Sequence, residues 1–162
     1  TLAKEWGRMN VTVNAVAYPL ELEPGTSLLV AVREAVGLTG AKAGCDDSEC
    51  GACMVLLDGE PVNSCSYLAL QTVGREITTV EGLSTNGELS PLQRAFLEAG
   101  GVQCGFCTPG MVISDTALLR RRANPDDEEI KAALSGNLCR CTGYNPILAA
   151  VRSAATEMAA KG

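Results

Sequence analysis

The chain has 162 residues, 46% hydrophobic and 20% charged, with a formal net charge of −6 and no histidine. That length suits one ordinary domain or two small ones, and an acidic chain gains nothing from a phosphate backbone or an anionic membrane surface. No apolar run reaches the length of a membrane span, and the absence of histidine excludes the commonest general base, histidine-dependent triads, Rieske ligation and mixed Cys/His zinc sites.

The opening TLAKEWGRMN has neither an apolar h-region nor a twin arginine, so residues 1–8 are expected to be a short extension before Met9, and the expected compartment is the cytoplasm. Asn10-Val-Thr12 fits a glycosylation acceptor but, without an export signal, reads as part of a strand. Val11-Thr-Val13 and Leu20 to Glu23 alternate apolar and polar residues as half-buried strands do, with Asn14 to Pro19 as the hairpin connection. Thr26 or Ser27 can cap a helix whose face is Leu28, Leu29, Val32, Ala35 and Val36, with Gly37 at the C′ position. Met54 to Leu57 enters a hairpin through Asp58-Gly59 with Pro61 to Asn63, and Ile77 to Val80 is the last strand. Strand, strand, helix and further strands is the order of a β-grasp.

STNGELS, residues 84–90, reads as a linker, and four helices follow. Ser90-Pro-Leu-Gln93 fits a capping box with proline at N1, ahead of the stripe Leu92, Ala95, Phe96 and Ala99. Pro109 to Arg122 is the second helix, with Met111 and Leu118, and Val112 and Leu119, seven residues apart. Pro125 to Glu129 opens the third with acids where the helix dipole favours them, and Gly136 closes it. Asn145-Pro146 starts the fourth, which turns Ile147, Leu148, Val151, Ala154, Ala155 and Met158 to one side. The expected class is therefore α+β, with a sheet domain over residues 9–83 and a four-helix bundle over 91–162.

The eight cysteines fall into two groups. Cys45, Cys50, Cys53 and Cys65 open with C-x4-C-x2-C, the plant-type [2Fe–2S] spacing, although plant ferredoxins place the fourth cysteine much further on. Cys104, Cys107, Cys139 and Cys141 form a C-x2-C and a distant C-x-C. Disulfides suit this chain poorly, because there is no secretory signal, the chain is long enough for a real core and Cys139 and Cys141 are too close for an unstrained bridge. Structural zinc also accepts four thiolates and stays open on spacing alone, whereas buried free cysteines do not explain two tight groups. Gly44, Gly51 and Ala52 favour a cluster, since glycine lets backbone N–H groups approach sulfur, although turn chemistry alone also explains each glycine. In the second group each cysteine pair precedes a helix start, Thr108-Pro-Gly and Asn145-Pro, so two positive dipole ends would face the anionic site; Thr108 and Asn145 equally read as plain caps.

GCDDSECGAC (44–53), the following Cys65, QCGFCTPGM (103–111) and GNLCRCTGY (136–144) together resemble the small iron–sulfur subunit of the molybdenum hydroxylases, the family of xanthine dehydrogenase, aldehyde oxidoreductase and carbon monoxide dehydrogenase. The resemblance runs from about Met9 to Met158 and takes in all eight cysteines. It implies a plant-ferredoxin-like β-grasp domain with one [2Fe–2S] cluster on Cys45, Cys50, Cys53 and Cys65, and a four-helix bundle with another on Cys104, Cys107, Cys139 and Cys141. It implies that the bundle cluster faces the molybdopterin of a large subunit and the other cluster faces FAD, usually on a medium subunit, within a dimer of heterotrimers. It further implies that Gln103 and Cys141 approach the pterin. Gly51-Ala-Cys53-Met54-Val stands where members commonly read GACTV, and Asn14-Ala15 where Asn-Gly is usual; neither departure touches a ligand.

Some lesser features complete the reading. Arg120-Arg-Arg122 ends a helix, where a solvated, dipole-matched terminus competes with a docking patch. Arg140, between two ligands, could raise the nearby potential or simply donate hydrogen bonds. No glycine-rich phosphate loop is present, so no nucleotide is expected on this chain. The expectation is an electron-transfer subunit of a molybdenum-dependent oxidoreductase, without catalysis of its own; the competing class is a zinc-stabilised interaction module.

Overall fold

A computed structural model describes residues 8–161. Most of the extension expected before Met9 lies outside the described residues. Five strands form one mixed sheet in the order β2-β1-β5-β3-β4, where β1 is Arg8–Val13, β2 Val16–Glu21, β3 Met54–Leu57, β4 Glu60–Asn63 and β5 Glu76–Thr78. The two hairpins β1–β2 and β3–β4 are antiparallel, and β5 joins them by pairing parallel to β1 and antiparallel to β3. Pro19 and Pro61 fall on β2 and β4, the two edge strands, where a missing N–H costs no ladder bond.

The first hairpin is tighter than its sequence suggests. Val13 pairs with Val16, so the connection is Asn14-Ala15 alone rather than Asn14 to Pro19. Both residues have positive φ, 51° and 63°, as a two-residue turn that matches strand twist requires. Asn14 holds the turn in place: its Oδ1 accepts from the Thr79 N–H at 2.9 Å and its Nδ2 donates to Thr79 Oγ1 at 2.9 Å.

The first helix, α1 (Leu28–Val30), is capped by Ser27, whose Oγ accepts from the Val30 N–H at 3.3 Å, and it widens at once into a π-turn over Ala31–Ala35. The added residue per turn moves the apolar face: Ala31 is buried and Ala35 exposed, where even helical spacing buries Ala35. Leu28, Leu29 and Val32 pack with Val11, Val13, Val55 and Ile77 of the sheet into one core. The last strand also ends early, since Val80 begins a 3-10 turn, Val80–Leu83.

Four helices follow: α2 (Pro91–Glu98), α3 (Thr108–Arg121), α4 (Asp127–Ala133) and α5 (Asn145–Lys161). The capping box at Ser90 forms, and its partner Gln93 also donates to Val80 O at 2.9 Å and accepts from Ser84 Oγ at 3.1 Å. Gln93 thereby pins both ends of the 84–90 segment, which turns tightly through Asn86 and Gly87 with Thr85 and Glu88 bonded to each other. A second capping box joins Asp126 and Glu129 at the start of α4. That helix stops at Ala133 with Leu134 as its C-cap, short of Gly136. Phe96, Met111, Ile130, Ile147 and Val151 meet in the helical core, while Met158, expected on the same stripe, is 41% exposed.

The two halves are not beads on a string. Ile113 and Ala117 of α3 pack on Leu56 of β3, and all three are buried. Helix α3 is consequently enclosed on two sides, with Met111, Leu118 and Leu119 facing the other helices and Ile113 and Ala117 facing the sheet.

Candidate metal centres

Cys45, Cys50 and Cys53 lie on the loop that leads into β3, and Cys65 lies just after β4. This loop carries three positive φ values, 58° at Asp46, 68° at Ser48 and 68° at Gly51. Two of these are not glycine, a conformation that persists only where the surroundings fix it. The Cys50 N–H donates to Cys45 Sγ at 3.4 Å. Asn63 Nδ2 donates to the Ser48 carbonyl at 3.0 Å, Ser64 Oγ donates to the Cys53 carbonyl at 2.6 Å, and Ser48 Oγ lies 3.9 Å from Cys65 Sγ and hydrogen-bonds Ser66 Oγ. Gly44 has no room for a side chain, since a Cβ there would sit 2.7 Å from Cys50 Sγ. Gly51 faces elsewhere: a Cβ would overlap the Gly136 carbonyl oxygen in the other half of the molecule.

The second group is assembled from distant segments. Cys107 is the N-cap residue of α3, and Cys139 and Cys141 lie on the connection between α4 and α5. Cys104 and Cys141 are exposed and their sulfurs are 3.5 Å apart, whereas Cys107 is buried. Tyr144 Oη organises the connection, accepting from the Cys139 N–H at 2.9 Å and donating to the Asn137 carbonyl at 2.9 Å. Thr142 Oγ1 lies 3.1 Å from Cys139 Sγ. Thr108 does not cap α3: it is the first helical residue, and its hydroxyl is buried without a partner. Gln103 is exposed and lines one cleft with Cys104, Cys141, Arg140, Phe106 and Leu138. Of the arginine run, Arg121 pairs with Glu60 at 3.2 Å and Arg122 with Glu129 at 2.9 Å, and Arg120 is exposed.

The thiols of each group act on one another. Burial raises the Cys50 thiol and both Cys45 and Cys65 add to it, and burial raises the Cys107 thiol and both Cys139 and Cys104 add to it. Among the described residues no three His, Cys, Asp or Glu side chains close on one metal position. Four cysteines gathered at one site suit a [2Fe–2S] cluster, which takes four thiolates. Burial pushes the Cys53 thiol up to about 11 and the Cys107 thiol up to about 12. These buried members need a cation to ionise at neutral pH, as thiolate ligands do. At Cys139 burial also pushes upward but is outweighed by the Thr142 hydroxyl and by the Thr142 and Cys141 N–H groups, and the thiol falls below its ordinary value. Donor type, number, glycine clearance and an N–H donor to sulfur fit the cluster.

Three residues that composition did not flag join the two groups. Asn137 is 2% exposed; its Nδ2 donates to the Gly51 carbonyl at 3.3 Å and its Oδ1 accepts from Ser114 Oγ at 2.8 Å. The Leu138 N–H donates to the Cys50 carbonyl at 2.9 Å. Gly110, in the first turn of α3, packs against Gly51 so closely that a Cβ would overlap the Gly51 carbonyl oxygen. The polar Asn137 within GNLCRC and the glycine after Cys107-Thr-Pro were the available signals, but nothing in their spacing says what they meet.

Residues 11–82 match the 2Fe-2S iron-sulfur cluster binding domain, and residues 79–152 match a second family, the [2Fe-2S] binding domain. The nicotinate dehydrogenase small FeS subunit of Eubacterium barkeri is 50% identical over 151 residues, spanning 93% of this chain and 96% of the relative. The xanthine dehydrogenase iron-sulfur-binding subunit of Escherichia coli O157:H7 is 48% identical over 139 residues, spanning 85% of this chain and 87% of the relative. A chain of quinoline 2-oxidoreductase from Pseudomonas putida 86 superposes with a TM-score of 0.91 at 44% identity, and 96% of each chain is covered. The chain belongs to the small [2Fe–2S] iron–sulfur subunits of the molybdenum hydroxylase family.

Proposed function

We propose that the chain passes electrons one at a time between a molybdopterin on a large partner subunit and an FAD on a medium partner subunit, within a cytoplasmic oxidoreductase built as a dimer of heterotrimers. Its parts are a β-grasp domain over residues 9–83, a linker over 84–90 and a four-helix bundle over 91–162. The observation that carries the reading is the two groups of four cysteines, one on the loop into β3 and just after β4, the other at the start of α3 and on the α4–α5 connection, in a chain with no histidine.

A [2Fe–2S] cluster at each site supplies, when bound, a one-electron carrier. Cys45, Cys50, Cys53 and Cys65 would hold one, and Cys104, Cys107, Cys139 and Cys141 the other. The surrounding residues hold the thiols in place and keep water from the inner ones. Gly44 leaves space beside Cys50, Ser64 fixes the backbone at Cys53, and Tyr144 fixes the backbone at Cys139. Cys104, Cys141 and Gln103 are exposed together, which suits contact with a cofactor on another chain. Cys50 and Cys139 are linked through one Leu138 N–H···O=C Cys50 hydrogen bond and the covalent bonds on either side of it. The zinc-stabilised module is not favoured, given the family.

Purifying the chain with its native partners tests both parts of the proposal. The complex is expected to be red-brown, to bleach with dithionite and to contain two irons per site, with a molybdopterin-binding and an FAD-binding subunit identified by mass spectrometry. A colourless, zinc-containing chain would overturn the cofactor assignment, and a coloured chain with neither partner would overturn the assembly.

A further inference from the structure

Backbone makes the closest part of the contact between the two thiol-bearing segments. Gly110 meets Gly51 where neither residue has space for a methyl group: a Cβ on Gly110 would overlap the Gly51 carbonyl oxygen, and a Cβ on Gly51 would overlap the Gly136 carbonyl oxygen and come 2.5 Å from Asn137 Nδ2. Gly51 adopts φ 68°, which glycine holds without strain. The Leu138 N–H to Cys50 carbonyl hydrogen bond joins the strip Cys50-Gly51 directly to the strip Gly136-Asn137-Leu138. The Phe106 ring also reaches the first loop, 3.4 Å from the position of a Gly44 Cβ.

Asn137 holds this contact in register. A buried amide costs stability unless it is paired, and here every partner found for it lies on another segment: the Gly51 carbonyl, the Ser114 hydroxyl on α3 and the Met54 sulfur at 3.7 Å. A leucine of similar size would satisfy packing, but it would accept a slip along the seam that the amide forbids. The Leu138 N–H to Cys50 hydrogen bond sits next to it, and Leu138 is joined directly to Cys139.

We propose that Gly51, Gly110 and Asn137 are positioning residues that set the separation of the two metal sites, and through it the rate at which an electron passes between them. The inference rests on the two-cluster reading above. Electron transfer between weakly coupled centres falls steeply with distance, so a seam closed by direct backbone contact keeps the step short. Gly110→Ala must push the strips apart, and Asn137→Leu removes the amide's bonds to Gly51 and Ser114 while keeping the number of side-chain heavy atoms.

Low-temperature electron paramagnetic resonance on the fully reduced holoprotein reads the separation, because two nearby spins split each other's lines. Amide hydrogen exchange at Leu138 reads the seam without reference to any metal. Both variants are expected to keep both signals and full iron content, to narrow the splitting and to exchange the Leu138 amide at least about tenfold faster, as a loss of about 1.4 kcal/mol of local protection gives. Unchanged splitting together with unchanged exchange at Leu138 would overturn the proposal. If Gly110→Ala does not fold, Asn137→Leu decides alone. Absence of two signals in the unmodified holoprotein would instead count against the two-cluster reading, and the exchange at Leu138 would still decide whether the seam exists.

Discussion

The two thiol groups solve one problem in different ways. The first is nearly local: three of its cysteines share one tightly wound loop, and the fourth follows the next hairpin. The second is joined only by tertiary structure, because α3 and α4 separate Cys107 from Cys139. Their exposures differ as well. The first group has no exposed cysteine, whereas Cys104 and Cys141 of the second are open to solvent. A local loop can hold its shape by hydrogen bonds to Asn63 and Ser64, but an assembled site depends on the core beneath it. Exposure at the second site is the feature that suits a partner's cofactor, and dependence on the helical core comes with it.

The largest expected effect that separates the sites is ligand removal. Cys104→Ser should abolish the second site's electron paramagnetic resonance signal, halve the iron content, leave the first signal in place and stop turnover of the complex. Because Cys104 is exposed, the fold should survive. A variant retaining both signals would show that Cys104 is not a ligand.

Dependence on the core comes next. Phe96 is fully buried among Met111, Ile147 and Val151, so Phe96→Ala should cost about 3–5 kcal/mol in denaturant unfolding. The second signal should disappear at lower denaturant than the first. Simultaneous loss would mean that the halves unfold as one unit through the Leu56–Ile113 contact.

Asp115 gives a pH test of the same core. It is fully buried on α3, neither carboxylate oxygen has a partner, and burial alone pushes its carboxyl well above the usual range. Charged residues on neighbouring helices are engaged elsewhere, Glu98 and Glu157 with Arg94, Glu129 with Arg122 and Asp127 with Arg152. Ionisation therefore favours the unfolded chain. No penalty exists below the unfolded value of about 4, and stability is lost as pH rises toward the folded value, at about 1.4 kcal/mol per pH unit. Asp115→Asn should lack that slope. Equal pH dependence of the two proteins in thermal unfolding between pH 4 and 7 would show that Asp115 is solvated or paired.

Smaller still is Tyr144→Phe, which strips partners from the Cys139 N–H and the Asn137 carbonyl. A cost of about 1–3 kcal/mol is expected, with a shifted potential at the second site and none at the first. The smallest is Arg121→Ala, which removes an exposed pair with Glu60 and should change stability by less than about 1 kcal/mol.

Much of this is legible in the chain itself, for physical reasons. Helix starts announce themselves in Ser90-Pro-Leu-Gln93, because the capping partners are three residues apart and touch in space. Cysteine grouping is equally visible. The Asn14-Ala15 turn reads too long from sequence because alanine seldom takes positive φ, and here the Asn14 bonds to Thr79, a residue remote in sequence, hold the turn. The π-turn at Ala31–Ala35 displaces a helical face that regular spacing draws correctly for an α-helix. Gly110, Asn137 and the Leu138–Cys50 bond stay hidden because each joins residues that only folding brings together.

The electron relay depends on two separate [2Fe–2S] sites on one chain. Redox titration of the holoprotein, followed by electron paramagnetic resonance with iron and sulfide quantified on the same sample, decides whether both exist. Two distinct signals titrating separately, with two irons and two sulfides per site, is the predicted result. A single signal, or half that iron in a fully folded chain, would contradict it.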